Sequence, residues 1–166
     1  MKMIENYTFN ENEKRFEPHE KKCTYCDTTS IEDIEDCYFI PLFITNDRTN
    51  IIVYRSVKFS KIIIGIPRCS SCKNIHYQSK VRATQISWGI AILILIGLIL
   101  FFASLNVFLI VLGFFAILFT GFYGSEKLAE RYVVNEGIYT LKDGAETNEV
   151  VRDLVISGWS FTQPSA

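Results

Sequence analysis

The sequence predicts an α+β membrane protein with an N-terminal β-rich lobe, a two-helix transmembrane hairpin and a short C-terminal α/β tail. Three observations predict this. Residues 83–125 are 43 consecutive residues without Asp, Glu, Lys or Arg, two Cys-x-x-Cys pairs flank a segment rich in strand-forming residues, and ordinary soluble sequence resumes at Glu126. We expect four regions: a flexible N-terminal segment (1–19), the lobe (20–82), the hairpin (83–124) and the tail (125–166).

The uncharged run is too long for one membrane crossing. A bilayer core of about 30 Å needs about 20 apolar residues as a helix, whereas a helix of 43 residues would extend about 65 Å. The sequence breaks near the middle of the run, at 103–106. We therefore predict two spans, at about 86–103 and 107–123, joined by a tight turn.

Small residues on both spans let helix backbones approach each other closely. We expect them to close the hairpin on itself, and an oligomerisation face is the alternative. They are Gly89 and Gly97 in the first span, and Ala116, Thr120 and Gly124 in the second.

Charge next to the spans predicts their orientation. From Asp47 to Arg82 there are eight basic residues against one acidic residue, and Lys127 and Arg131 follow the second span. Basic residues beside a span favour the cytoplasmic side. We expect a protein integral to a plasma or inner membrane, with both termini cytoplasmic. The basic segment is either a solvated face or a contact for anionic headgroups.

Four of the five cysteines form two pairs, Cys23-x-x-Cys26 and Cys69-x-x-Cys72. Tetrahedral zinc takes four ligands at about 2.3 Å, and a Cys-x-x-Cys turn offers two thiolates to one ion. The sequence between the pairs favours strands at 37–45, 51–54 and 57–66, with a turn at 46–50. Pro67 is typical of a strand end because it cannot donate to a ladder.

The residues KCTYCD at 22–27 and IPRCSSCKN at 66–74 resemble the two knuckles of a zinc ribbon, over residues 20–76. The resemblance implies a structural Zn²⁺ held by Cys23, Cys26, Cys69 and Cys72, and it implies no particular function. Asp27 and Asn74 stand near positions where ribbons often carry Gly, and both residue types tolerate the left-handed backbone conformation of a knuckle.

Three other uses of the paired cysteines stay open. A redox Cys-x-x-Cys motif usually lies at a helix N-terminus in a βαβ context, and we expect neither pair to lie there. Structural disulfides need an oxidising compartment, which the predicted orientation disfavours. Iron–sulfur clusters also use Cys-x-x-Cys pairs.

The remaining metal-ligating residues are Cys37, His19 and His76. Cys37 lies in an apolar run, where we expect a buried thiol that behaves as a small hydrophobe. His19 and His76 each lie just outside a cysteine pair, and either could replace a thiolate. With four thiols present, we expect both histidines outside the metal site.

A site closed by four thiolates leaves no position for water or substrate. The sequence also lacks a Ser/His/Asp set, a glycine-rich phosphate loop and an HExxH motif. We therefore expect a non-enzymatic, membrane-anchored zinc-binding interaction or scaffold protein with the lipid bilayer and an unidentified protein as partners. The alternative is an oligomeric membrane effector or pore component with a zinc-stabilised sensor lobe. Nucleic-acid binding is disfavoured because few aromatic residues interleave with the basic ones.

The tail carries the pattern of an amphipathic helix, with apolar residues at 150, 151, 154 and 155. The residues 143–146 have the form of a capping box, and Gly158 is the expected C-cap. We expect this helix and Trp159 to dock onto the lobe. The alternative is an exposed helix that binds a partner.

Overall fold

The computed structural model describes residues 6–27, 31–51, 54–102 and 107–165. Within them the chain is a mixed α+β protein with one four-stranded sheet of strand order β1-β2-β4-β3. Its elements are β1 (Tyr7–Asn10), β2 (Arg15–Pro18), β3 (Tyr38–Ile51), β4 (Tyr54–Ile66), α1 (Ser70–Phe102), α2 (Val107–Asn135), α3 (Leu141–Thr147) and α4 (Glu149–Ile156). The chain forms two compact units, residues 1–73 with 141–166, and residues 74–140.

The long antiparallel pair β3–β4 organises the first unit. Its register runs from Tyr38↔Ile66 to Ile51↔Tyr54, with a shift between Thr45 and Asp47. The predicted turn at 46–50 was wrong, because these residues lie within β3. Their polar side chains at 46–48 are exposed, and the shift accommodates the extra residue as a β-bulge does.

Alternate residues of β3 and β4 form the core of this unit. Ile40, Leu42, Ile64 and Ile66 are buried, as expected when every second side chain points to one face. The C-terminal segment completes the unit: Phe43 and Ser160 exchange two backbone hydrogen bonds of 2.8 Å. Residues 141–166 belong to this unit, and α4 buries Val151 and Leu154, so the prediction that the C-terminal helix docks onto the lobe is confirmed.

The N-terminal segment, expected to be flexible, contains β1 and β2 in residues 7–18. These strands pair in antiparallel fashion, and the rings of Phe9 and Phe16 face each other with centroids 5.0 Å apart. The Arg15 guanidinium lies 4.0 Å from the centre of the Phe39 ring. The expectation was wrong over these residues because such cross-strand and cation–π contacts order a segment whose composition is highly charged.

Helix α1 begins at Ser70, well before the predicted first span. The β-rich lobe was expected to continue to residue 82, and the structure corrects this boundary. Pro67 ends β4, and no proline occurs between Ser70 and Phe102, so nothing in the sequence interrupts the helix once it starts. Cys69 therefore precedes α1 directly, and Cys72 lies in its first turn.

The regular elements in the described part of the tail are helices (the end of α2, α3 and α4) joined by turns, with one isolated bridge at Ser160, which corrects the predicted α/β tail. The cap of α4 is Asn148, whose side chain accepts a hydrogen bond from the Val151 N–H. Asp143 lies instead within α3. Gly158 has φ +99° after the end of α4, as predicted for a C-terminal glycine.

In the second unit, α1 and α2 pack against each other. The Ser87 hydroxyl donates to the Gly121 carbonyl over 2.9 Å, and Trp88 meets Phe122 edge-on with ring centroids 5.2 Å apart. A Cβ at Gly113 would lie 3.1 Å from Leu98 Cδ1, and one at Gly124 would lie 3.2 Å from Ser87 Oγ.

The small-residue face predicted for this contact was therefore mostly wrong. Of the predicted set only Gly124 lies at the contact. Ala116 and Thr120 are exposed, and a Cβ at Gly89 or Gly97 would meet nothing within 4 Å. Gly113 and Gly121 take their place, because the actual crossing uses a different side of each helix.

Among the described residues one helix segment, Ser70–Leu98, is long and apolar enough to cross a membrane by length and composition, and only 17% of its most apolar window is buried. Helix α2 does not meet that test over its described residues, so the second span stays a prediction. The predicted break at 103–106 lies outside the described residues.

Candidate metal centre

The four paired cysteines converge in the first unit. The Sγ atoms of Cys23, Cys26, Cys69 and Cys72 all lie within 4.8 Å of one another. Cys23, Cys69 and Cys72 are buried, and Cys26 is partly exposed. These four residues are the predicted metal ligands, and the structure brings them together in a group that could hold a metal ion.

The distances between sulfur atoms fit a single tetrahedral ion. Cys23 Sγ lies 3.9 Å from Cys72 Sγ, and Cys26 Sγ lies 3.9 Å from Cys69 Sγ. Four sulfur atoms about 2.3 Å from one central ion are about 3.8 Å apart at the edges of the tetrahedron. A disulfide would need about 2.05 Å, and none of the five cysteines forms one.

The first cysteine pair lies in a tight turn after β2. The Asp27 N–H donates to the Cys23 carbonyl over 3.1 Å, and Asp27 has φ +58°. This is the left-handed conformation that Asp was expected to tolerate after a knuckle. Asn74, the other expected position, is helical within α1.

Backbone N–H groups join the two pairs. The Thr24 N–H donates to the Pro67 carbonyl over 3.0 Å, and the Cys69 N–H donates to Cys23 Sγ over 3.3 Å. Burial raises the pKa of the Cys23 thiol, whereas the Cys69 N–H lowers it. A bound cation would offset that burial cost and favour the thiolate.

The second pair opens α1, where the Lys73 N–H donates to the Cys69 carbonyl over 3.0 Å. The expectation that neither pair lies at a helix N-terminus was wrong for Cys69 and Cys72. A helix N-terminus favours thiolates, which suits a metal ligand and a redox motif alike. The convergence of both pairs on one point favours the metal, because a redox motif needs only its own two sulfur atoms.

Sequence reasoning missed Tyr25, the residue between the cysteines of the first pair. Its side chain is fully buried, its hydroxyl lies 3.5 Å from the Leu141 carbonyl, and a Cβ at Gly144 would lie 2.3 Å from its Cε1 atom. Burial raises the pKa of the Tyr25 hydroxyl. Helix α3 therefore packs directly on the first cysteine turn, and Gly144 is the sequence signal for this close approach.

A second set of contacts, also not predicted from the sequence, joins the start of α1 to the turn before β3. Lys73 Nζ lies 2.7 Å from Asp36 Oδ1, and Arg68 Nε donates to the Asp36 carbonyl over 2.9 Å. These charge-assisted bonds orient the residues on either side of Cys69 and Cys72.

The other candidate ligands lie outside the four-sulfur group. Cys37 is buried with 4% exposure, as predicted, and burial raises its pKa. The ring of His19 contacts the Thr8 hydroxyl. His76 Nε2 lies 3.0 Å from the Tyr139 carbonyl.

Comparison with family models, curated proteins and solved structures finds no match for this chain. The case for a metal site therefore rests on the geometry. Four cysteines from two turns that are distant in the sequence form one group that could bind a metal ion.

Proposed function

We propose that this chain is a membrane-anchored, non-catalytic zinc-binding interaction or scaffold protein. The observation that carries the proposal is the four-sulfur group, in which the Cys23–Cys72 and Cys26–Cys69 edges of 3.9 Å match a tetrahedron around one ion. Protein sulfur atoms fill all four positions of such a tetrahedron. The ion would stabilise the lobe and would have no open position for water or substrate.

Zinc is the metal that best fits this ligand set. Four thiolates in a tetrahedron select zinc or iron. A cluster of several iron atoms separates its cysteine sulfur atoms more widely than a single ion does, because the sulfur atoms bind different irons. All four Sγ atoms lie within 4.8 Å of one another, which favours a single ion, and zinc is the usual single ion in structural sites of this composition.

The helix pair supports the proposed anchor. Helices α1 and α2 contact each other through small residues such as Ala91, Gly113 and Gly121, as helices in lipid do. Large apolar side chains are exposed on both helices, where they would face lipid: Ile90, Leu93, Leu100, Phe115 and Phe119. In this proposal the two helices cross the membrane as a hairpin, and the basic residues near Arg82 and Arg131 keep both termini in the cytoplasm.

A second candidate function is an oligomeric membrane effector or pore component. The specific observation that favours it is the position of Gly89 and Gly97, where an added Cβ would meet nothing within 4 Å. Glycines that are not used within the helix pair are available for contact with a second copy. The mass of the purified protein in detergent separates the two functions, because a strict monomer would rule out an assembled pore.

Metal analysis of the purified full chain tests the first proposal. We expect one zinc per chain, lost in Cys23→Ser and in Cys69→Ser and retained in Cys37→Ser. The Cys37 variant is the matched control, because that thiol is buried but lies outside the four-sulfur group. Full retention of zinc in both ligand variants would contradict the four-cysteine site.

A further inference from the structure

The strands β3 and β4 continue as a two-stranded ribbon beyond the rest of the sheet. Strand β2 meets β4 at Phe16↔Ile64, and Ser160 meets β3 at Phe43. Beyond the pair Thr45↔Phe59, β3 and β4 pair only with each other among the described residues. We call residues 45–51 and 54–61 the ribbon arm; Ser60 and Lys61, which pair with Ile44 and Phe43, form its base.

A two-stranded hairpin is marginally stable in water on its own. The ribbon arm nevertheless has six register pairs from Thr45↔Phe59 to Ile51↔Tyr54. A surface that contacts the arm would supply the burial and pairing of charges that the rest of the sheet does not provide.

The charge of the ribbon arm indicates what that surface is. The arm has four basic residues, Arg48, Arg55, Lys58 and Lys61, against the single acidic residue Asp47. Arg48, Lys58 and Lys61 are exposed, and the ion pairs found among the described residues involve none of these three. The complementary surface is therefore anionic.

An exposed aromatic residue accompanies these basic residues. Phe59 is 37% exposed between Lys58 and Lys61 in the sequence, and its ring meets Phe43 edge-on with centroids 5.7 Å apart. Basic residues mixed with exposed apolar and aromatic ones suit the membrane–water interface. Sequence-tolerant nucleic-acid binding instead depends on several aromatic rings for stacking, and Phe59 is the one exposed ring described in the arm.

We propose that the ribbon arm binds the anionic phospholipid headgroups of the membrane in which the chain is anchored. This inference rests on the proposed anchor, which holds the arm near a bilayer at high effective concentration. Each basic residue near an anionic surface strengthens binding roughly fivefold. Arg48 and Lys61 share one face of the ribbon with Phe59 and together then strengthen it by about 25-fold, whereas Lys58 lies on the other face, opposite Asp47.

Hydrogen–deuterium exchange of the full chain in nanodiscs tests the proposal. One nanodisc contains only phosphatidylcholine, and in the other about a third of the lipid is phosphatidylserine. We expect amides of the ribbon arm to exchange about tenfold more slowly in the anionic nanodisc, and high salt to remove the difference because it screens the charges.

Two matched variants distinguish the effect of the basic residues in the ribbon arm from the effect of the overall charge of the unit. In Arg48→Gln/Lys58→Gln/Lys61→Gln the lipid-dependent protection is lost. In the control, Lys14→Gln/Lys21→Gln/Lys142→Gln, three exposed basic residues elsewhere in the same unit are changed, and the protection remains.

Equal exchange in the two nanodiscs overturns the proposal. So does protection that appears only when an oligonucleotide is added, which would assign the arm to nucleic acid. A chain that does not incorporate into nanodiscs contradicts the anchor instead. The same exchange measurement with added vesicles of the two compositions then still tests the arm by itself.

Discussion

Replacing Gly144 by Ala tests whether the C-terminal segment supports the first cysteine turn. An added Cβ would lie 2.3 Å from Tyr25 Cε1 and 2.6 Å from Cδ1. Carbon atoms in good contact are about 3.5–4.0 Å apart, so the ring or α3 must move by more than about 1 Å. Overpacking of this kind costs about 1–3 kcal/mol, and the higher helix propensity of Ala returns up to about 1 kcal/mol. We expect a net loss of about 1–2 kcal/mol in the free energy of unfolding.

The assay is thermal unfolding of the zinc-loaded chain in detergent, together with the rate of zinc transfer to a colorimetric chelator. Gly144→Ala should unfold earlier and release zinc faster, because Tyr25 lies between Cys23 and Cys26. Gly89→Ala is the matched control, since its Cβ would meet nothing within 4 Å, and zinc release should not change. In a Tyr25→Leu background Gly144→Ala should cost much less. An equal cost in both backgrounds, or unchanged zinc release in Gly144→Ala alone, would refute the proposed packing.

Three further predictions concern the site and the anchor. Lys73→Met should lower the free energy of unfolding by about 1 kcal/mol, since it removes the 2.7 Å bond to the largely buried Asp36 carboxylate. A double-mutant cycle with Asp36→Asn measures the coupling free energy of the two side chains, and a value near zero would contradict the prediction. Asp27→Val should lower the free energy of unfolding by about 1–2 kcal/mol, because a β-branched residue disfavours the left-handed backbone conformation, whereas Asp27→Gly should be nearly neutral. Thermal unfolding compares the two variants, and equal melting temperatures would show that the conformation at Asp27 is unimportant. Reporter fusions after Asn106 and at the C-terminus should lie on opposite sides of the membrane, and a result on the same side would refute the hairpin.

Local spacing was enough to predict that Cys23, Cys26, Cys69 and Cys72 come together in one group. A Cys-x-x-Cys turn sets two thiols next to each other wherever it occurs, and Pro67 marks the end of the strand before the second pair. The burial of Cys37 was also predicted from its apolar neighbours. These are features that depend on residues close in the sequence.

The element boundaries around the site, and the contacts that stabilise it, depend on residues that are distant in the sequence. The contact of Tyr25 with Gly144 joins residues more than a hundred positions apart, and the glycine alone does not indicate which residue approaches it. The strands at residues 7–18 were missed because pairing of Phe9 with Phe16 and stacking of Arg15 on Phe39 outweigh a highly charged composition. The early start of α1 was missed because the sequence shows no obvious helix cap near Cys69, where the strand and knuckle patterns end.

X-ray absorption at the zinc edge of the purified full chain measures the coordination of the proposed ion itself. We expect zinc with four sulfur neighbours at about 2.3 Å and no nearby metal atom. Nitrogen or oxygen atoms in the first coordination sphere, or a second metal atom close by, would contradict a single ion held by Cys23, Cys26, Cys69 and Cys72.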